Sequence, residues 1–218
     1  MSTRLAVTAA CLAIWVAHLS AGAVTGVVLS VAAGRNVPAL AVVYAESLDS
    51  AAPHTPGRFT LAQRNKSFQP HVLAVPLGST VDFPNNDQIQ HNVFSLSPLQ
   101  PFDLGLYRRG ESKSRTFTTP GVYRVFCNIH PQMSAMIVVA PTPYTTVAGM
   151  DGRFSLNLPA GRFRLTALSE RVSPVSIEIV ATQGAASAPE IRLDESSWKL
   201  VPHKNKFGTD YPTAAYPR

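Results

Sequence analysis

The sequence predicts an all-β protein, on three observations. No stretch of ten or more residues carries a helical stripe of apolar positions, short runs rich in Val, Phe, Tyr and Ile recur instead, and Pro, Gly, Asn and Asp stand between those runs. In chain order the candidate strands are 24–31, 40–46, 59–62, 71–75, 80–83, 91–96, 114–118, 121–127, 134–140, 153–158, 162–168 and 175–180. Turn signals divide them: Leu77-Gly78-Ser79, Pro84-Asn85-Asn86-Asp87, Thr119-Pro120-Gly121, Asp151-Gly152 and Pro159-Ala160-Gly161. These are residues that fix φ or tolerate the left-handed region. A dozen strands crowd one sandwich and suit two.

Composition narrows the class. With 218 residues of which 45% are hydrophobic, the chain is too apolar for intrinsic disorder and too short for a large multi-domain enzyme. Two cysteines exclude a disulfide-stapled scaffold. At the N-terminus Arg4 precedes an uncharged apolar run over 5–19 and the small residues Ala21-Gly22-Ala23, the pattern of a cleavable signal peptide over 1–23. The run is shorter than the roughly 20 residues of a membrane span; an uncleaved anchor is the alternative reading. Without 1–23 the chain loses Arg4 and Cys11, leaving 18 basic against 13 acidic residues, a net charge of +5, and Cys127 as its one cysteine. An unpaired thiol in an exported protein calls for a chemical explanation.

Composition shifts at 49–58 and 140–146 isolate a middle domain, 57–141, from outer segments 24–50 and 144–193. Residues 194–218 read as a tail, ordered where Trp198 finds a surface. The middle domain ends in Val122-Tyr-Arg-Val-Phe-Cys127-Asn-Ile-His130-Pro-Gln-Met133-Ser-Ala-Met136, a strand that stops on a thiol and turns back through an imidazole and a thioether. Upstream, His91 begins another candidate strand. Two imidazoles, a thiolate and a weak thioether form the donor set of an electron-transfer copper centre, because soft sulfur ligands select copper. Met133 and Met136 lie an odd number of residues apart, so once the strand resumes only one can face the metal.

These residues resemble the cupredoxins, in particular the plastocyanin, amicyanin and pseudoazurin group. Cys127-x2-His130-x2-Met133 has the short amicyanin spacing, and His91-Asn92-Val93 looks like the segment carrying the first ligand. Together with 62–75, Val81-Asp82-Phe83-Pro84-Asn85-Asn86-Asp87 and Thr142-Pro143-Tyr144, they are similar to secreted plastocyanin-like proteins labelled methylamine-utilisation proteins. The resemblance covers about 58–144. It implies a Greek-key β-sandwich holding one type 1 copper on His91, Cys127, His130 and Met133, with Asn92 tying the first ligand's strand to the ligand loop. The alternative for Asn92 is an ordinary polar residue of a turn or strand. Ile129 stands where many such loops have Pro. The outer segments resemble the two ends of a carboxypeptidase-regulatory-like, transthyretin-like sandwich, into which the copper domain is inserted or beside which it lies.

The function implied is an exported, periplasmic or secreted one-electron carrier and not an enzyme, since the remaining mature histidines His54, His71 and His203 are scattered. His71 reads as a satisfied structural residue, His54 and His203 as solvated. The partner is a redox protein, acidic by charge complementarity, docking near His130 with Ile129 and Pro131 beside it; nucleic acid and an integral span in the mature chain are not expected. The alternatives are copper storage or delivery and a metal-free β-sandwich that binds the envelope.

Overall fold

The structure, a computed structural model, describes residues 21–32 and 35–211. It is all-β, with nineteen strands and no helix among the described residues. None of these residues therefore forms a helix long and apolar enough to cross a membrane. The signal-peptide reading falls on residues outside the described set, except at its end. There the first strand, Gly22–Ala32, begins two residues before the expected mature start and pairs Gly22 with Leu158 and Ala23 with Asn157. Gly22 approaches the chain opposite so closely that a Cβ would sit 2.1 Å from the Thr182 carbonyl oxygen, a fit open only to glycine.

The strands before 48 and after 144 share two sheets. In the first, Gly22–Ala32 is flanked by Arg153–Leu158, Arg35–Pro38, Ala186–Ser187 and Ile191–Asp194. In the second, Val42–Ser47 lies between Thr145–Val147 and Gly161–Leu168, with Val175–Ala181 outermost. The alternating Arg153–Leu158 buries Phe154, Leu156 and Leu158 in a core shared with Val24, Val28, Phe163, Leu165 and Ile191.

A second core belongs to 58–140. One sheet runs Phe102–Tyr107, His91–Ser95, Gly121–Phe126, Ser134–Ala140, Val72–Pro76; the other holds Ser112–Thr116, Thr80–Pro84 and Arg58–Thr60. Between them pack Phe83, Val93, Phe117, Tyr123, Val125 and Ile137. Ser134–Ala140 is buried on both faces: Ala135, Ile137 and Val139 point into this core, while Met136 and Val138 meet Val42, Val72 and Leu168 in a third cluster that joins the two halves. Period-two alternation puts one strand into two cores.

The twelve expected strands form, with ends shifted by a residue or two, save that 59–62 is interrupted at Leu61, whose side chain is buried and whose N–H reaches the Asp82 carbonyl. Phe102–Tyr107 was not expected; Gly105 at φ 71° lies at a bulge between Asp103 and Leu106 that breaks its alternation.

A polar bridge reinforces the third cluster. His71 Nδ1 contacts the Ser134 carbonyl at 3.0 Å and Nε2 the Glu170 carboxylate at 2.8 Å, so His71 is satisfied as expected. Arg124 Nη1 donates to the same carboxylate at 2.6 Å. The Glu170 hydrogen bond raises the His71 pKa above its ordinary 6.5, against burial. The same bond holds Glu170 below its ordinary 4.5. Stability from His71 is complete below its unfolded value and lost as pH rises through the folded one; that from Glu170 is present above its unfolded value and lost on acidification. The pair therefore contributes most between those two ordinary values. In a His71→Gln chain the melting temperature is expected to fall relative to the parent most near pH 5.5 and least at pH 9, by the equivalent of about 0.5 kcal/mol for so exposed a pair; thermal denaturation at the two pH values measures this.

Candidate metal centre

Strand Gly121–Phe126 delivers Cys127 to the end of the barrel, and a turn sends the chain back along Ser134–Ala140. Two backbone hydrogen bonds close that turn, Met133 N–H to His130 O at 2.9 Å and Cys127 N–H to Met133 O at 3.2 Å. The thiol, the imidazole and the thioether are thus fixed by one short loop. His91 opens a fully buried strand paired to Phe102–Tyr107 and, through Phe94 and Phe126, to the strand that ends in Cys127.

The ligating atoms of His91, Cys127 and His130 all lie within 4.8 Å of one another. The two Nδ1 atoms are 3.1 Å apart, and Cys127 Sγ lies 3.9 Å from His91 Nδ1 and 3.6 Å from His130 Nδ1. Donors about 2.0 Å (N) and 2.3 Å (S) from one ion stand roughly 3.3–3.6 Å apart in tetrahedral geometry, so the donor set fits a single metal. His91, Cys127 and Met133 are fully buried, whereas His130 is half-buried. Met133 packs in the same core as Cys127, while Met136 lies in the third cluster, on the opposite face of its strand.

Electrostatics keep the donors available. Burial lowers the His130 pKa, and the nearby His91 and Lys66 act in the same direction, so its lone pair is free of a proton at neutral pH. Burial raises the Cys127 thiol, opposed by backbone N–H groups of Asn92, Ile129 and His130 directed at the sulfur. Those dipoles favour the thiolate that a metal would hold.

One residue escaped the sequence reading. Asp87 Oδ2 lies 2.7 Å from His91 Nε2, the ring nitrogen that faces away from the cluster. The carboxylate also accepts the N–H groups of Asn65 at 2.5 Å and Lys66 at 2.8 Å, from a hairpin turn whose two residues have φ of 55° and 52°. Burial acts to raise the Asp87 carboxyl pKa, yet these three donors hold it below its ordinary value. Buried Asn85 fixes the loop, accepting the Asp87 N–H and donating to the carbonyls of Ile89 and Tyr107. A carboxylate behind a ligating imidazole sets its tautomer and increases its basicity. The signal was there, an acid four residues before His91, but it reads as turn chemistry until the turn is folded.

Two expectations are corrected. The Asn92 side chain does not tie its strand to the ligand loop: its amide donates to Asp103 Oδ1 at 2.6 Å and its own carbonyl oxygen is buried without a partner, so the bulge beside it captures the side chain. What Asn92 gives the site is its backbone N–H. Nor is His203 solvated. It stacks on Phe126, ring centroids 3.9 Å apart, and its Nε2 donates to the Pro131 carbonyl at 2.6 Å. The tail is likewise ordered beyond Trp198, which packs under Arg171. His54 is exposed, as expected.

The family described as copper binding proteins, plastocyanin/azurin family, matches residues 58–140. Plastocyanins of Ulva arasakii and Ulva pertusa are each 32% identical over 73 residues, 29% of this chain and 74% of theirs. Among solved structures, a copper-containing nitrite reductase from Thermus scotoductus is 32% identical over 43% of this chain at a TM-score of 0.36, and the chain spans only 24% of its length. A purple cupredoxin from Nitrosopumilus maritimus matches at 22% identity over 37% of this chain and 98% of its own, with a TM-score of 0.34. A reduced amicyanin variant matches at 22% identity over 44% and 99%, with a TM-score of 0.37.

Asp87→Asn removes the charge behind His91 while keeping its shape. Copper affinity, read by competition with a chelator, is expected to fall about tenfold or more; unchanged affinity would show that Asp87 serves only the hairpin turn.

Proposed function

The chain belongs to the plastocyanin/azurin family of copper-binding proteins, and on that premise we propose that it is an exported carrier of single electrons whose copper ligands are His91, Cys127, His130 and Met133. The observation that carries this reading is the convergence of one buried thiol and two imidazoles within 4.8 Å. Copper bound there supplies a Cu(I)/Cu(II) couple. The protein's part is to hold the donors still. Cys127 gives up its proton when the metal binds, and the three N–H groups at its sulfur stabilise the charge. Asp87 holds His91 from behind, and the turn hydrogen bonds fix His130 and Met133. A site that moves little between oxidation states needs little reorganisation, and so exchanges electrons quickly.

Of the four, His130 alone is half-buried, and it is the port through which an electron enters or leaves, with half-buried Ile129 and Pro131 beside it as a docking patch. The net charge of +5 that remains without residues 1–23 suits an acidic redox partner. The other histidines support a carrier rather than an enzyme, because His71 and His203 are engaged elsewhere. The pairing of strands before 48 with strands after 144 supports a copper domain inserted into a second, carboxypeptidase-regulatory-like sandwich that serves as a scaffold. Residues 1–23 as a signal peptide place the protein in the periplasm or outside the cell.

Three variants test the ligand assignment. Cys127→Ser is expected to abolish the thiolate-to-copper band and Cu(I)/Cu(II) cycling while leaving weak copper binding on the histidines; a parent chain whose copper does not cycle, with the substitution only weakening its binding, would favour a storage site instead. Met133→Leu is expected to raise the reduction potential by removing a thioether that favours Cu(II). Met136→Leu leaves the potential unchanged and costs less than about 1.5 kcal/mol of stability. The reverse pattern in voltammetry would make Met136 the ligand.

A further inference from the structure

Residues 203–211 lie across the ligand loop and touch it at three points. Tyr211 donates its hydroxyl to the Cys127 carbonyl at 3.0 Å, Lys206 its backbone N–H to Asn128 Oδ1 at 3.0 Å, and His203 its ring N–H to the Pro131 carbonyl. His203 lies flat on Phe126, the residue before Cys127, and Tyr211 stands edge-on to His203 at 5.2 Å. Lys206 also reaches the other ligand-bearing segment. Its Nζ is 2.8 Å from Asp103 Oδ2, and the second oxygen of that carboxylate takes the amide of Asn92, next to His91. One residue of the tail therefore links the loop of Cys127 and His130 to the strand of His91.

Burial of apolar side chains does not explain this placement. Leu200, Val201 and Phe207 are 78%, 80% and 75% exposed, so the segment is held by its polar and ring contacts, three of which fall on the loop. The contacted groups are the carbonyls of Cys127 and Pro131 and the amide side chain of Asn128, in the turn at the end of the barrel. A hydrogen bond to such a group limits the loop's excursions without touching a ligand atom.

We propose that residues 203–211 are a strap that fixes Cys127 and His130 relative to His91, making the C-terminal segment a positioning part of the copper centre. The inference rests on the copper reading above. The strap restrains the loop in both oxidation states, so it slows release of the metal and keeps the donors in place when the charge of the centre changes.

The test uses the full chain with Lys206→Ala and Tyr211→Phe combined, which removes the Asp103 link and one hydroxyl while leaving every ligand and the Phe126 stack. Trp198→Ala, in the tail but against Arg171, is the control. Hydrogen exchange of the amides of residues 127–130, 132 and 133 in the copper-free chain is expected to quicken about fivefold for each hydrogen bond lost. In the copper-loaded chain, Cu(I) transfer to bathocuproine is expected to quicken by a similar factor and the Cu(II) paramagnetic resonance parameters to shift; the control changes none of these. His203→Phe keeps the stack and loses the donor, and is expected to lie between parent and double variant. Parent-like exchange, release and resonance in the double variant would overturn the strap. A parent chain that binds copper without a thiolate charge-transfer band would instead overturn the carrier reading on which it rests.

Discussion

A thiol and two imidazoles crowded into less than 5 Å at the end of a hydrophobic barrel are the constraint on which the rest of this structure depends. Left alone, such groups are costly: they are removed from water, they repel one another when protonated, and few partners are close enough to satisfy them. The surroundings answer each cost. Backbone dipoles face the sulfur, a carboxylate stands behind the deeper imidazole, and the shallower imidazole is kept neutral by burial and neighbouring positive charge. The sheet supplies rigidity, since His91 opens a fully buried strand and Cys127 follows a partly buried neighbour paired to it. A metal that takes two nitrogens and a thiolate would replace repulsion with coordination at donors already within 4.8 Å of one another.

Much of this was legible in the sequence, and the reasons are local. Cys127, His130 and Met133 lie on one short loop between two strands of clear alternation, so their convergence needs no distant contact. Met133 and Met136 could be separated by parity alone, and the two cores in which they pack agree with that separation. The strand beginning at His91 was visible from its apolar run. Less visible was Phe102–Tyr107, where a glycine bulge breaks the period of two, and Ile191–Asp194, a short strand that forms only by parallel pairing with Gly22–Ala32 at the far end of the chain.

What escaped the sequence depends on contacts between segments that no spacing connects. Asp87 looks like a turn residue until the Asn65-Lys66 turn, more than twenty positions away, aims two N–H groups at it. Asn92 could be expected to bridge to the ligand loop, yet the bulge in the adjoining strand brings Asp103 closer. The C-terminal residues look like a solvated tail because their apolar side chains follow no pattern; what orders them is a row of polar contacts to two backbone carbonyls and the Asn128 amide, which leaves no hydrophobic signature.

The two cores are joined through a third apolar cluster and the Glu170 bridge, so the barrel that carries the metal donors is braced from the face opposite Cys127. Met136 belongs to that brace, on the face of its strand turned away from the core that holds Cys127 and Met133. The central claim is that the buried cysteine is a copper thiolate in a redox centre. Its most direct test is the visible and paramagnetic resonance spectrum of the full chain after one equivalent of Cu(II). The account predicts an intense sulfur-to-copper band that ascorbate bleaches and an oxidant restores; a colourless protein, or the weak absorption of ordinary cupric sites, would contradict it.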